Sequence, residues 1–121
     1  MKKLYLTKSS QVALTEILYL KSDENYTAIY TTNQERLIVA RTLRVMQERI
    51  EDAQSFIRIN NNYVVNISFM NGWRKDDKKL VIILDDGQEF VVSRRRISDF
   101  REAIRKSPKA LLLKNKTSLE I

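Results

Sequence analysis

The chain has 121 residues, 43% of them hydrophobic and 31% charged, with two glycines, one proline and a net charge of +7. That length makes one domain, enough for one modest core and too short for two independent ones, and so little glycine and proline argues against a disordered chain. It contains no cysteine and no histidine, which excludes thiol nucleophiles, imidazole bases and the usual zinc sites.

Short strands dominate the first two-thirds. Val12-Ala13-Leu14 and Ile17-Leu18-Tyr19-Leu20 are apolar runs of strand length. Tyr26–Thr31 is rich in β-branched and aromatic residues, and Thr32-Asn33-Gln34 turns it back into Arg36–Ala40, which predicts a hairpin. Beyond Thr42, a candidate N-cap, Leu43, Met46 and Ile50 fall at the spacing of one helical stripe. Three consecutive asparagines, Asn60, Asn61 and Asn62, mark a loop between apolar pieces. Leu80–Leu84 is a continuous apolar run, expected to be covered on both faces, and Asp85-Asp86-Gly87 turns it back into Phe90-Val91-Val92. After Ser93, Ile97, Phe100 and Ile104 make a second helical stripe, which must end before Pro108. The expected architecture is mainly β, with short antiparallel strands and two short helices. Residues 1–108 form the domain, and 109–121 form a basic segment whose Leu111-Leu112-Leu113 could be a strand, a docking segment or a tail.

The acidic pairs Asp23-Glu24, Asp76-Asp77 and Asp85-Asp86 sit in polar surroundings and read as solvated turns. No nucleophile–base pair can be assembled, so no catalytic residue, metal ligand or cofactor is assigned. No apolar run approaches the ~20 residues that span a bilayer, and Met1–Lys8 lacks the apolar stretch of a signal peptide. A cytoplasmic protein is expected.

The charge is unevenly placed. Nine basic and two acidic residues lie between Arg94 and Lys116, so the whole excess of +7 sits there. Such asymmetry suits an anionic polymer, a membrane surface or merely a solubilising tail. Two stretches carry candidate chemistry. The amides of Asn60, Asn61 and Asn62 could bond their own backbone, or match the N6 and N7 pair of adenine. Ser93-Arg94-Arg95-Arg96 follows a strand and opens a helix, where free N–H groups and guanidinium groups receive phosphate and arginine reads guanine. Three cations at the positive end of a helix dipole are unfavourable until an anion arrives.

Four segments, in order, resemble the LytTR family of bacterial DNA-binding domains. Ile17–Thr27 resembles its opening signature, an apolar strand followed by acidic residues and Asn25-Tyr26. Arg41-Thr42-Leu43 is similar to its helix start. Phe56-Ile57-Arg58-Ile59 followed by Tyr63-Val64-Val65-Asn66 matches its central segment, and Asp86-Gly87 through Val92-Ser93-Arg94-Arg95 its closing one. The resemblance spans Leu14 to Ile104.

The resemblance implies an elongated, mainly β module that inserts loops into successive major grooves and has no recognition helix. Its DNA-binding positions fall on Asn25, Tyr26 and Thr27, on Asn60, Asn61 and Asn62, and on Ser93, Arg94, Arg95 and Arg96, with Arg94 the leading base contact. Family members often carry histidine at Asn60 and a basic residue at Asn61, so adenine reading by Asn61 is expected here. The implied partner is double-stranded DNA, at direct-repeat sites bound by two copies or a dimer, in transcription regulation. Many members follow a phosphorylatable receiver domain, for which this chain has no room, so a stand-alone regulator or a fragment is expected. Two other readings compete: a basic protein- or membrane-interaction module, and single-stranded RNA binding through Tyr26, Tyr30, Tyr63 and Trp73.

Overall fold

Ten strands and two α-helices make up most of residues 3–6, 10–50 and 53–106, which are the residues that the computed structural model of the chain describes. The segment 109–121 and the helix stop at Pro108 lie outside them. β1 (Lys3–Tyr5) and β2 (Gln11–Ala13) form a small antiparallel pair. β3 (Ile17–Asp23), β4 (Tyr26–Thr31), β5 (Arg36–Val39), β6 (Phe56–Arg58) and β7 (Tyr63–Asn66) form an antiparallel sheet in the order β5-β4-β3-β7-β6. β8 (Met70–Asp76), β9 (Lys79–Leu84) and β10 (Glu89–Val92) form a three-stranded meander. α1 (Leu43–Arg49) follows β5, and α2 (Ile97–Lys106) follows β10.

The five-stranded sheet is apolar on both faces, because its strands deliver successive residues to opposite sides. Leu20, Ile29, Val39 and Val64 face a core with Leu4, Val12, Leu43, Met46 and Ile50, contributed by the β1–β2 pair and α1. Tyr19, Ile57 and Val65 face a second core with Trp73, Leu80, Ile82, Phe90, Phe100 and Ile104, contributed by the meander and α2. Strict alternation would put Ile17 beside Tyr19. Instead Ile17 pairs with Thr31 and Tyr19 with Tyr30, leaving Leu18 as a bulge, and Ile17 joins Leu20 in the first core. Buried Asn66 supports the same spot. Its Nδ2 donates to the Ile17 carbonyl at 2.9 Å, and its Oδ1 accepts from the Ser68 N–H at 3.0 Å.

Both helices form where the apolar stripes predict them. The Thr42 hydroxyl accepts from the Val45 N–H at 3.3 Å and caps α1. In α2, Phe100 and Ile104 are buried in the second core. The Arg36 strand pairs with β4 as expected, and the same β4 also forms a hairpin with β3 through Glu24, which takes φ 55°. Gly87, at φ 89°, turns β9 into β10, a conformation that a Cβ would strain although nothing lies within 4 Å of its position. The β9 run is largely covered, as expected: Leu80, Ile82 and Leu84 enter the core, and on the other face, shared with Arg74, Glu89 and Val91, Val81 is buried and Ile83 half-buried. Three expectations are corrected. The single core expected from the chain length is two, one on each face of the five-stranded sheet. Leu14 closes no strand but starts a 3-10 turn, Leu14–Glu16. The arginines after Ser93 do not open α2 directly, since Arg94–Arg96 is a 3-10 turn ahead of it.

Candidate nucleic-acid interface

Antiparallel order gathers distant segments at one end of the five-stranded sheet. The β3–β4 turn lies there, and so does the loop joining β6 to β7, because Lys21 pairs with Tyr63. β5 also ends there, with Val39 opposite Thr27, and delivers Arg41 and the start of α1. Ser93 reaches the same end by donating its N–H to the Ile59 carbonyl at 2.8 Å. Segments some 70 residues apart in sequence thus share one rim.

The asparagine loop divides its labour. Asn60 is structural: its Oδ1 accepts from the N–H groups of Asn62 (2.8 Å) and Tyr63 (2.9 Å), and its Nδ2 donates to the Val91 carbonyl at 2.9 Å. Those bonds close the loop and fasten it to β10. Asn62 is exposed, and its Oδ1 accepts from the Ser22 hydroxyl at 3.2 Å, while its carbonyl accepts from the Ser22 N–H at 2.8 Å. Asn61 is exposed as well. Its carbonyl is held by Arg58 at 2.8 Å, and its Oδ1 lies at 3.4 Å from Arg95 Nη2, a long contact that readily yields to another partner.

Beside this loop stands the arginine turn. Arg94 and Arg95 are exposed and Arg96 is half-buried. The N–H groups of Arg96 and Ile97 bond back to Ser93 and Arg94, which removes them from the amides that a phosphate could meet. Ser93 Oγ and Arg96 Nε are buried without a hydrogen-bond partner. Among the described residues, Arg41, Arg58, Arg94, Arg95 and Arg96 form no ion pair; the carboxylate pairs go to Arg44, Arg74, Arg105 and Lys106. Burial, followed by the charges of Arg96 and Arg95, lowers the pKa of Arg58. The rim therefore gathers crowded guanidinium groups that no carboxylate pairs with, although exposed Asp23 and Glu24 lie on the β3–β4 turn of the same rim.

The β3–β4 turn brings two of its three candidates to the surface. Asn25 is exposed, and Tyr26 is 49% exposed. Thr27 is fully buried, and its hydroxyl donates to the Arg41 carbonyl at 2.8 Å, so it faces no ligand. That bond holds Arg41 at the rim. Arg41 and Arg58 stand within the family-like motifs, yet the sequence alone assigns neither a role. The signal for Arg58 was available, because it alternates with Ile57 and Ile59 and so must leave the core face.

The aromatic candidates for base stacking are mostly spent. Tyr19 and Tyr30 stack at 4.5 Å, Tyr63 meets Phe90 edge-on at 4.9 Å, and Trp73 is buried. A cavity of about 450 Å³ between Ser55, Ser68 and α2 includes none of the candidate residues. Among the described residues no group of histidine, cysteine or carboxylate side chains could hold a metal, and no helix is long and apolar enough to cross a membrane. The opposite end of the sheet is richer in carboxylates: Glu35, Asp85 and Asp86 line one cavity there, next to Glu16, whose carbonyl accepts from the Thr32 N–H, with exposed Arg36 the cation among them.

The family model described as the LytTr DNA-binding domain matches residues 7–105. Among solved structures, the chain is similar to the LytTr DNA-binding domain of a Bacillus cereus protein described as a methyl-accepting/DNA response regulator, with 20% identity and a TM-score of 0.65. The match covers 85% of this chain and 94% of that one, and the likeness is one of fold. No curated protein matches.

Proposed function

The chain belongs to the LytTR family of DNA-binding domains, and from that premise we propose that it recognises particular double-stranded sequences as the DNA-binding part of a bacterial transcription regulator. The observation that carries this reading is the meeting of the exposed Asn61 loop and the unpaired Arg94–Arg96 turn on one rim. Phosphates neutralise the crowded cations and release counterions, giving affinity that is independent of sequence and sensitive to salt. Arg94, exposed on a rigid corner, reads guanine through O6 and N7, and Asn61 reads adenine through N6 and N7. Each such pair discriminates by about 1–3 kcal/mol. Asn25 and Tyr26 form a second protrusion on the rim and enter a neighbouring groove. Two protrusions in successive grooves favour a bent duplex, at an elastic cost on the order of 1–6 kcal/mol. Two copies occupy direct-repeat sites.

Duplexes selected from a random pool supply the test. Arg94→Ala is expected to lower affinity for the selected duplex about 5- to 150-fold, with a much smaller loss on random duplex. Arg105→Ala, on exposed α2 and beside Glu102 at 3.9 Å, is expected to weaken both to a similar small extent. Equal losses on both duplexes for Arg94→Ala would refute its reading role. An excess of single-stranded RNA or of acidic lipid vesicles that displaces the selected duplex would favour the competing readings.

A further inference from the structure

We propose that Arg58 is a positioning residue that clamps the Asn60–Asn62 loop in its reading conformation and yokes it to α1, without touching DNA itself. The proposal deepens the DNA reading above and rests on it for its specificity half. All three nitrogens of the Arg58 guanidinium turn inward. Nε donates to the Asn60 carbonyl at 2.8 Å, Nη2 to the Asn61 carbonyl at 2.8 Å and Nη1 to Gln47 Oε1 at 3.0 Å. Only a planar fork of donors spans two consecutive carbonyls and a third acceptor together; an ammonium group, a single point, does not.

The location makes sense for a clamp and not for a phosphate contact. Arg58 is half-buried, and burial followed by the nearby charges of Arg96 and Arg95 disfavours its charged form there. A residue meant only to meet phosphate gains nothing from that burial. The loop carbonyls explain it, because two successive peptide units that converge on one cation cannot rotate freely, and Asn61 is thereby held in one orientation. Gln47 lies on α1, the helix that follows Arg41, so the third bond links the asparagine loop to the segment on the far side of the rim. Discrimination by a bidentate amide depends on such pre-organisation, since a wandering loop meets right and wrong bases alike.

Arg58→Lys and Gln47→Ala test the clamp, first without DNA. Hydrogen exchange at the Asn62 and Tyr63 amides, both bonded to Asn60 Oδ1, should quicken by about 2- to 12-fold for each clamp bond lost, while the amides of Tyr19 and Leu20 in β3 and of Val64 and Val65 in β7, away from the loop, keep their protection. On DNA, Arg58→Lys should lose at least about fivefold on the selected duplex and little on random duplex. For Arg58→Gln, which removes the cation, the slope of affinity against salt should stay unchanged. Unaltered loop exchange in both Arg58→Lys and Gln47→Ala overturns the clamp. Equal losses on both duplexes, with a slope shallower by about 0.9 for Arg58→Gln, overturn it as well, for Arg58 would then be a phosphate contact. Should Arg58→Lys fail to fold, Gln47→Ala, on the helix surface, decides. A wild-type chain with no preference among duplexes would sink the DNA reading and the specificity half with it, while the exchange experiment still judges the clamp alone.

Discussion

Replacing Asn60 by alanine removes a side chain that family resemblance places at the DNA and the structure places in the loop's scaffold. Three hydrogen bonds disappear, to the Asn62 and Tyr63 amides and the Val91 carbonyl. A net 0.5–1.5 kcal/mol for each bond would sum to about 1.5–4.5 kcal/mol. Water reaches the exposed Asn62 amide once the side chain is gone, so the lower half of that range, about 1.5–3 kcal/mol, is expected. Urea unfolding followed by the buried Trp73 measures it. With a slope of about 1–3 kcal/mol per molar, the midpoint should fall on the order of 1 M without a change in slope. Asn60→Asp keeps the acceptor for both amides but sets a carboxylate oxygen against the Val91 carbonyl, so it should recover part of the loss, less than roughly two-thirds. A midpoint unchanged by Asn60→Ala would refute the scaffold role and return Asn60 to the DNA surface.

Thr27→Val keeps the shape but leaves the Arg41 carbonyl without its donor. It should cost about 1 kcal/mol in urea unfolding, with the ratio of selected to random affinity unchanged; a fall in that ratio would mean that Thr27 does take part in recognition. Phe100→Ala should cost about 3–5 kcal/mol, because Phe100 has no exposed surface and seals the second core; a loss below about 1 kcal/mol would mean that α2 packs loosely. Burial, then Tyr30, pushes the Tyr19 phenol up to about 12. The unfolded phenol ionises near 10, so this contribution is complete below pH 10 and disappears as pH rises towards 12. Urea midpoints across pH 9–12 should fall less steeply for Tyr19→Phe than for wild type, and identical curves would contradict the assignment.

How far the sequence could be read depended on whether local chemistry decided the outcome. Tyr26–Thr31 forms a strand over the very residues where β-branched and aromatic side chains cluster. Thr42 caps α1, and Asp85-Asp86-Gly87 turns a hairpin, because capping and positive φ are settled within a few residues. The bulge at Leu18 was not legible, since Ile17-Leu18-Tyr19-Leu20 is apolar throughout and pattern alone cannot say which side chain enters which core. The same limit applies at the site. Asn60, Asn61 and Asn62 are identical in chemistry, and only tertiary contacts with Val91, Arg95 and Ser22 separate the brace from the exposed amides. Thr27 looked available because its neighbours are, yet strand alternation turns it inward to Arg41.

The uneven charge between the two ends of the central sheet has a kinetic consequence. A particle with guanidinium groups at one pole and Glu16, Glu35, Asp85 and Asp86 at the other experiences a torque in the field of a polyanion as well as an attraction. It rotates during approach, so a larger share of collisions begins with the guanidinium pole foremost. Added electrolyte weakens that alignment over distances beyond the Debye length, about 10 Å at 0.1 M, slowing capture even where the final contacts are intact.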